Sequence, residues 1–405
     1  MPDSLPARPD RFHPGPEFRL LAACSWLPPQ PWAEDQAETI EALCASPLDW
    51  NVFLDLMARH RVATLVHRNL DRRGYRGVPG PVREAVVRQA RSASTISLLF
   101  FTELVRLAGL FRTAGIAVAA LKGPSLSLRL YGDPSVRSTK DLDLLVHEED
   151  FHRAEALLLE QGYRRTFPSF EPTRKMWARI RAQRHHYDYL HEARSIQVEL
   201  HWGIHGRSPS RLEPLWSRRE PLAWHGVDLD QVEDTALFAL LLEHGAMHGW
   251  FRLKWLSDIA MCLTLETPSA RRAFTAAARD LEVERCLAQA LLLVHWFYGL
   301  ELPGWLRGMA VFDDRSVALA ADACEALFAP VGDPADKAWA SARKTLREFR
   351  YLRKLGKGSS HWGFLGERAI NPMDGAKVAL PDPLFELYYV LRPFFWAWDR
   401  LSRRA

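Results

Sequence analysis

The chain has 405 residues, 48% of them hydrophobic and 25% charged, the balance of a globular protein long enough for two or three domains and a large core. Its formal net charge of +4 is small for that length, so composition does not point to nucleic acid. Five cysteines (Cys24, Cys44, Cys262, Cys286, Cys324) form no C-x-x-C pair, which argues against a zinc ribbon or a disulfide framework and for a reducing compartment. The first residues carry no apolar signal core, and no apolar run reaches the roughly 18 residues of a membrane span. The expectation is a cytoplasmic protein with no membrane partner. The fifteen tryptophans are expected in core and interface packing.

In chain order, residues 1–16 are Pro-rich and polar and are expected to be a disordered leader. Residues 17–95 read as helical. Phe18, Leu20, Leu21 and Cys24 share one face; a second helix begins at Thr39; a third begins at Asp49-Trp50, with Asp49 as N-cap and Val52, Phe53 and Leu56 buried. His60 reads as a capping or half-buried histidine. Arg83, Arg88 and Arg91 form a solvated helix face. Residues 95–114 read as a separate apolar helix, ended by Gly115. Ile116–Leu121 reads as a strand that runs into a Lys122-Gly123 turn and a short helix.

A second strand then opens with Asp141-Leu142-Asp143. A strand has period two, so both carboxylates share one face, where they repel unless a cation lies between them. Residues 149–161 read as a helix, Tyr163–Phe167 as a strand and 168–184 as a Pro- and Arg-rich loop over the site. Two alternating runs, His185–His191 and Ser195–Trp202, read as a β-hairpin in which Gln197, Glu199 and His201 share a face. Glu199 is the expected third ligand beside the two aspartates. From about residue 231 the chain reads as helix, with Asp234 as a cap. His244 and His248 are four apart on one helix, but no Glu follows the first His, which argues against H-E-x-x-H zinc chemistry. Lys254 and Asp258 are also four apart, open to two readings: a surface ion pair, or a polar face over a triphosphate. Arg343–Lys357 is basic and amphipathic, Gly356–Ser360 is a break, and Phe385–Trp398 is an aromatic helix, interrupted at Pro393, expected to pack back on the body.

The stretch Lys122-Gly123-Pro124-Ser125, Asp141-Leu142-Asp143 and Glu199 resembles the nucleotidyltransferase superfamily that shares its fold with DNA polymerase beta. Tyr131-Gly132-Asp133-Pro134, Arg137, Val198–Trp202 and His244–Ala260, with Asp49-Trp50, Arg59–Val62 and Leu384–Pro393, resemble more closely an uncharacterised nucleotidyltransferase family. The likeness covers most of residues 17–395; the turn is Gly-Pro-Ser where the superfamily has Gly-Ser.

The resemblance implies an α+β fold, a small mixed-sheet core flanked by N- and C-terminal helical regions. The division would be a leader (1–16), a helical region (17–95), the nucleotidyltransferase core (96–215) and a helical domain (216–405). It implies NMP transfer from an NTP to an acceptor with release of pyrophosphate, assisted by two Mg²⁺ about 3.5–4 Å apart. Asp141, Asp143 and Glu199 would be the catalytic and metal-ligating residues, with Glu199 either a ligand only or also a base. Lys122, Gly123, Ser125, Arg137, Lys140 and Lys254 would bind the nucleotide. His201, His244, His248 and Asp258 would line the substrate pocket. The acceptor, a small molecule, peptide or protein, is not legible. A phosphocholine-type transferase using a nucleotide-activated donor and a non-catalytic nucleotide-binding module are the competing readings.

Overall fold

The computed structural model describes residues 5–10, 12–29, 32–204, 216, 219–222, 224, 229–264, 283–302, 306, 310, 312–329, 350–355 and 370–401. In chain order the elements are α1 (Pro16–Cys24), α2 (Trp32–Cys44), α3 (Trp50–His60), α4 (Ala63–Asp71), α5 (Gly80–Thr113), β1 (Val118–Ala120), α6 (Pro124–Tyr131), β2 (Leu142–Val146), α7 (Phe151–Glu160) and β3 (Arg164–Phe167). There follow α8 (Arg174–Gln183), β4 (His186–His191), β5 (Ile196–His201), β6 (Arg219–Pro221), β7 (Asp230–Val232), α9 (Asp234–Met247), α10 (Leu253–Thr264), α11 (Glu284–Tyr298), α12 (Asp314–Phe328), α13 (Asp374–Lys377) and α14 (Leu387–Leu401). The chain folds into two compact units, each assembled from separated segments. The first takes Met1–Phe101, Gly123–Thr139 and Val232–Lys357; the second takes Thr102–Lys122, Lys140–Gln231 and Gly358–Ala405.

The first unit is helical. Asp49 caps α3 as its sequence predicts, its carboxylate accepting from the amides of Asn51 and Val52. Phe53 and Leu56 are buried, but Val52 is 43% exposed: it sits one position off the apolar stripe. Three other expectations need correction. α2 begins at Trp32, well before Thr39. Asp234 is the first residue of α9 and pairs with Arg129 at 2.7 Å, while Glu233 holds the cap position. The helices expected on either side of residue 95 are one, because Arg91-Ser-Ala-Ser-Thr95 contains no Gly or Pro to break the turn. α5 is therefore also long and apolar enough to cross a membrane by length and composition, although 44% of its most apolar stretch is buried within the protein. Part of the expected leader is held in place: Pro6 accepts from Trp296 Nε1 at 2.9 Å, and Phe12 is buried.

The core of this unit is closed by aromatic and amide contacts. The ring of Phe18 meets His60, Phe297 and Phe328 edge-on. Trp250 Nε1 donates to Gln289 Oε1 at 3.1 Å, and Gln289 Nε2 donates to the Leu319 carbonyl at 2.7 Å. Of the basic stretch Arg343–Lys357 only residues 350–355 are described; there Lys354 pairs with Asp322 at 2.7 Å. The expected break at Gly356–Ser360 lies outside the described residues.

The second unit is built on a seven-stranded mixed sheet in the order β3-β4-β5-β2-β1-β7-β6. β2 and β5 run parallel, whereas β1/β2, β3/β4 and β4/β5 are antiparallel. Every residue of β2 is buried, so both faces of this strand are covered, and the apolar–acidic alternation of its sequence does not mark a wet side. The expected β4–β5 hairpin is present, turning through Glu192–Arg194. Sequence reading missed β6 and β7, three-residue strands too short to show periodicity. Residues 174–183, expected to be loop, form α8: Pro168 and Pro172 lie ahead of it, Thr173 caps it by accepting from Met176, and Met176 and Ile180 are buried four apart. The aromatic helix α14 packs only in part. Tyr388 and Phe395 are buried and Arg392 reaches Asp374 at 3.0 Å, while Val390, Phe394 and Trp398 are exposed.

Two expected outcomes follow from the first unit. A Cβ on Gly245 would stand 2.3 Å from the ring of the fully buried Trp250. Gly245→Ala, which should help a helix by its intrinsic preference, is therefore expected to destabilise by about 1–3 kcal/mol in chemical denaturation; an unchanged or higher midpoint contradicts this packing. His60 is fully buried, and burial, with Arg59 and Arg252 adding to it, lowers its pKa from 6.5 to about 3. The unfolded chain thus binds more protons between those values, so stability is full above about pH 6.5 and falls as the pH drops toward 3. Replacing His60 with Gln should flatten that slope in thermal melts taken across the window.

Candidate active site

The site begins with strand register. β2 pairs with β5 so that Asp143 lies opposite Glu199, and β5 pairs with β4 so that Glu199 lies opposite Asp188. Three carboxylates therefore form a row across three neighbouring strands. Two residues along, His201 lies opposite His186, on the same face by the period of the strand. Like charges placed directly opposite destabilise a sheet, so the row requires positive charge from elsewhere.

Lys122 supplies part of it. It follows β1, whose exit is fixed by the Leu121 amide donating to the Asp143 carbonyl at 3.1 Å, and its Nζ stands 3.0 Å from Asp143 Oδ1. Both side chains are almost wholly buried, at 12% and 4% exposure. Burial opposes ionisation of Asp143, but the Lys122 ammonium and His201 outweigh it and hold the carboxyl well below its usual range. Burial likewise opposes charge on Lys122, and Asp143, Glu199 and Asp141 together raise its pKa.

His201 completes the centre. Its Nε2 is 3.4 Å from both Asp143 Oδ1 and Glu199 Oε2. Burial disfavours its charged form, and the two carboxylates reverse that and raise its pKa. Neither ring nitrogen makes a hydrogen bond of good geometry, so its contacts with the carboxylates are ionic. Single ligand atoms of Asp143, Glu199 and His201 lie within 4.8 Å of one another, a spacing that suits a shared cation. Asp141 stands half-buried immediately before β2 and acts on Lys122. Lys140 is exposed.

The opposite face of the hairpin is a wall of rings. Tyr187 and Trp202 pack edge-on against Phe151 and Trp177, with centroids 5.0–5.3 Å apart. The hairpin turn is clamped where Arg194 Nη1 donates to both oxygens of Glu103, at 2.8 and 2.7 Å, and Tyr163 donates to Glu103 at 2.7 Å.

The remaining sequence candidates belong to the first unit. Gly123, at φ 75° and ψ −137°, caps α6 in a conformation that suits glycine, and Ser125 is buried in that helix. Arg137 does not present its Nε outward: it donates to both oxygens of Asp258 at 2.9 Å, and both side chains are buried. Lys254 Nζ donates to the Ser138 carbonyl at 3.2 Å. Lys254 and Asp258 are both buried, at 9% and 1% exposure, so the surface ion-pair reading of the two fails. His244 meets His248 and Trp255 edge-on, with ring centroids 4.6 and 5.2 Å apart, and His248 stacks on Trp255 at 5.3 Å; among the described residues they join no trio of metal-ligand atoms. A cavity of about 720 Å³, lined by His67, Arg83, Arg88 and Arg91 among others, shares no residue with the carboxylate row.

Sequence reasoning missed His186 and Asp188. The signal was available: His-x-Asp in the first hairpin strand faces Glu-x-His in the second once the antiparallel register is written out.

Residues 46–299 match a family described as an uncharacterised nucleotidyltransferase. The chain belongs to that nucleotidyltransferase family. A search of curated proteins returns no match. The family match spans Lys122, Asp141, Asp143, Glu199 and His201.

The charge balance makes a prediction. Glu199 is directly opposed to Asp143 on one side and Asp188 on the other, so Glu199→Gln is expected to stabilise the metal-free chain by up to about 1 kcal/mol, read as a higher unfolding midpoint in chelator-treated protein. A lower midpoint would mean that the row is not under repulsion.

Proposed function

We propose that the protein is a Mg²⁺-dependent nucleotidyltransferase that moves the NMP of an NTP, ATP among them, to a hydroxyl- or phosphate-bearing acceptor and releases pyrophosphate. The observation that carries this reading is the pairing of buried Asp143 with half-buried Glu199, in register on parallel strands, with the Lys122 ammonium 3.0 Å from Asp143. The family match supports the same class.

Phosphoryl-type transfer depends on positioning and charge neutralisation more than on covalent chemistry. The donor set fits divalent cations: carboxylate oxygens converge and repel, and a buried imidazole lies among them without a hydrogen-bond partner. Asp143 and Glu199, with Asp141, are the residues that would hold Mg²⁺, which when bound offsets triphosphate charge and acidifies an acceptor hydroxyl. Lys122 neutralises Asp143 in the free protein and offers its ammonium to the triphosphate. Glu199 is the group able to take the acceptor proton. Burial of Asp143 and His201 keeps water from the reacting atoms, where charge–charge interactions are stronger than in solution.

The test is incubation with α-labelled NTPs and cell extract, with Mg²⁺ or with chelator, followed by mass spectrometry for an NMP adduct. Mg²⁺-dependent adducts and pyrophosphate are expected from the wild type, and none from Asp143→Asn, whose far-UV circular dichroism should be unchanged. Full turnover in Asp143→Asn would remove the assignment.

A further inference from the structure

We propose that His186, Asp188 and Glu199 form a second cation site, on the β4–β5 hairpin, selective for a divalent metal of the zinc class that accepts imidazole. The site shares Glu199 with the Asp143 centre but does not depend on the nucleotidyl-transfer reading.

The geometry comes first. His186 Nε2 is 3.3 Å from Asp188 Oδ1 and 3.8 Å from Glu199 Oε2, and one ligand atom from each of the three residues lies within 4.8 Å of the others. Metal–ligand arms of about 2.0–2.2 Å at tetrahedral angles put neighbouring ligand atoms roughly 3.3–3.6 Å apart. The trio is thus close to coordination spacing before any ion enters.

The second observation is unmet polarity. His186 Nδ1 is buried with no hydrogen-bond partner, and Asp188 Oδ1, whose near contact is His186 Nε2 at 3.3 Å, makes no hydrogen bond of good geometry, as is true of both ring nitrogens of the neighbouring His201. His186 as a whole is only 8% exposed. Buried polar atoms without partners are expensive, and a bound cation relieves the carboxylate oxygen directly and fixes the ring that carries Nδ1. Register supplies the third observation. Asp188 and Glu199 are directly opposed, and the Lys122 ammonium that offsets the row is held at Asp143, one strand farther along.

The donor set chooses the metal. Hard cations such as Mg²⁺ take oxygen ligands and keep their water, whereas an imidazole nitrogen with two carboxylates suits zinc-class ions. Three protein ligands leave a fourth position open, the pattern of a site where the metal meets water or a substrate oxygen. Glu199 Oε2 lies 3.8 Å from His186 Nε2 and 3.4 Å from His201 Nε2, so this carboxylate stands between the two centres. The aromatic wall behind Tyr187 and Trp202, and the Glu103 clamp on the turn, fix the hairpin register on which the trio depends.

The test uses the full chain, stripped with chelator and titrated with Co²⁺ as a spectroscopic stand-in for zinc. A saturable visible absorption band is expected, bleached by Zn²⁺ and unaffected by a large excess of Mg²⁺. His186→Gln and Asp188→Asn should each lose the band; two variants are used so that one misfolded protein, recognised by circular dichroism, does not decide the matter. Asp143→Asn should keep it. No band in the wild type, a band surviving in folded His186→Gln and Asp188→Asn, or a band lost only in Asp143→Asn would overturn the proposal. The two readings separate cleanly. A band without Mg²⁺-dependent NMP transfer leaves this site standing and sinks the transferase assignment, and transfer without a band does the reverse.

Discussion

Repulsion between Asp143, Glu199 and Asp188 is the constraint on which the second unit turns. Each of the three occupies a register position fixed by backbone pairing, not by choice of rotamer. A slip of one residue in β5 would move Glu199 and His201 to the aromatic face and bring Val198 and Leu200 to the acidic one, so register and site are specified together. Removing the row would relieve the sheet and also its reason for carrying a buried lysine. Sites that store repulsion of this kind hold stability in reserve for a ligand, since an ion that binds only the folded state adds its binding free energy to folding.

What makes the row tolerable is the rigidity behind it. Phe151, Trp177, Tyr187 and Trp202 pack edge-on, the arrangement aromatic rings prefer. Glu103 receives Arg194 and Tyr163 and also Arg106, at 2.9 Å through Nε. Burial opposes its charged form, but Arg106 and Tyr163 outweigh this and lower its pKa. Charge in the first unit is treated in the same manner: Arg137 and Asp258 bury each other in a two-oxygen contact. Such a pair adds little net stability over an apolar one but is costly to break.

Most of the second unit's sheet was legible in the sequence. The hairpin, the Lys-Gly turn and the Asp-x-Asp strand each announce themselves through period-two alternation or glycine, and Asp143, Glu199 and His201 do converge. Three things were hidden. β6 and β7 are too short to carry a period. α8 hides behind two prolines that lie ahead of it instead of within it. Asp188 and His186 acquire meaning only from cross-strand register, which no single strand displays. Arg137 and Asp258 show the same limit in reverse: both look chemically suggestive in sequence, yet their partner choice, each other across more than a hundred residues, belongs to tertiary packing.

One contact in the helical unit bears on how the chain is born. The Leu253 amide, at the start of α10, donates to Nδ1 of His60 at 3.1 Å, across 193 residues of sequence. Arg252 reaches the Arg59 carbonyl in the same place. As the polypeptide leaves the ribosome, α1 to α4 must therefore wait with their apolar faces incomplete while the whole sheet-bearing segment is synthesised. Long-range closure of this sort slows folding and prolongs exposure of sticky surface. Until α10 emerges, the N-terminal helices lack this closing contact, although they lie outside the carboxylate centre.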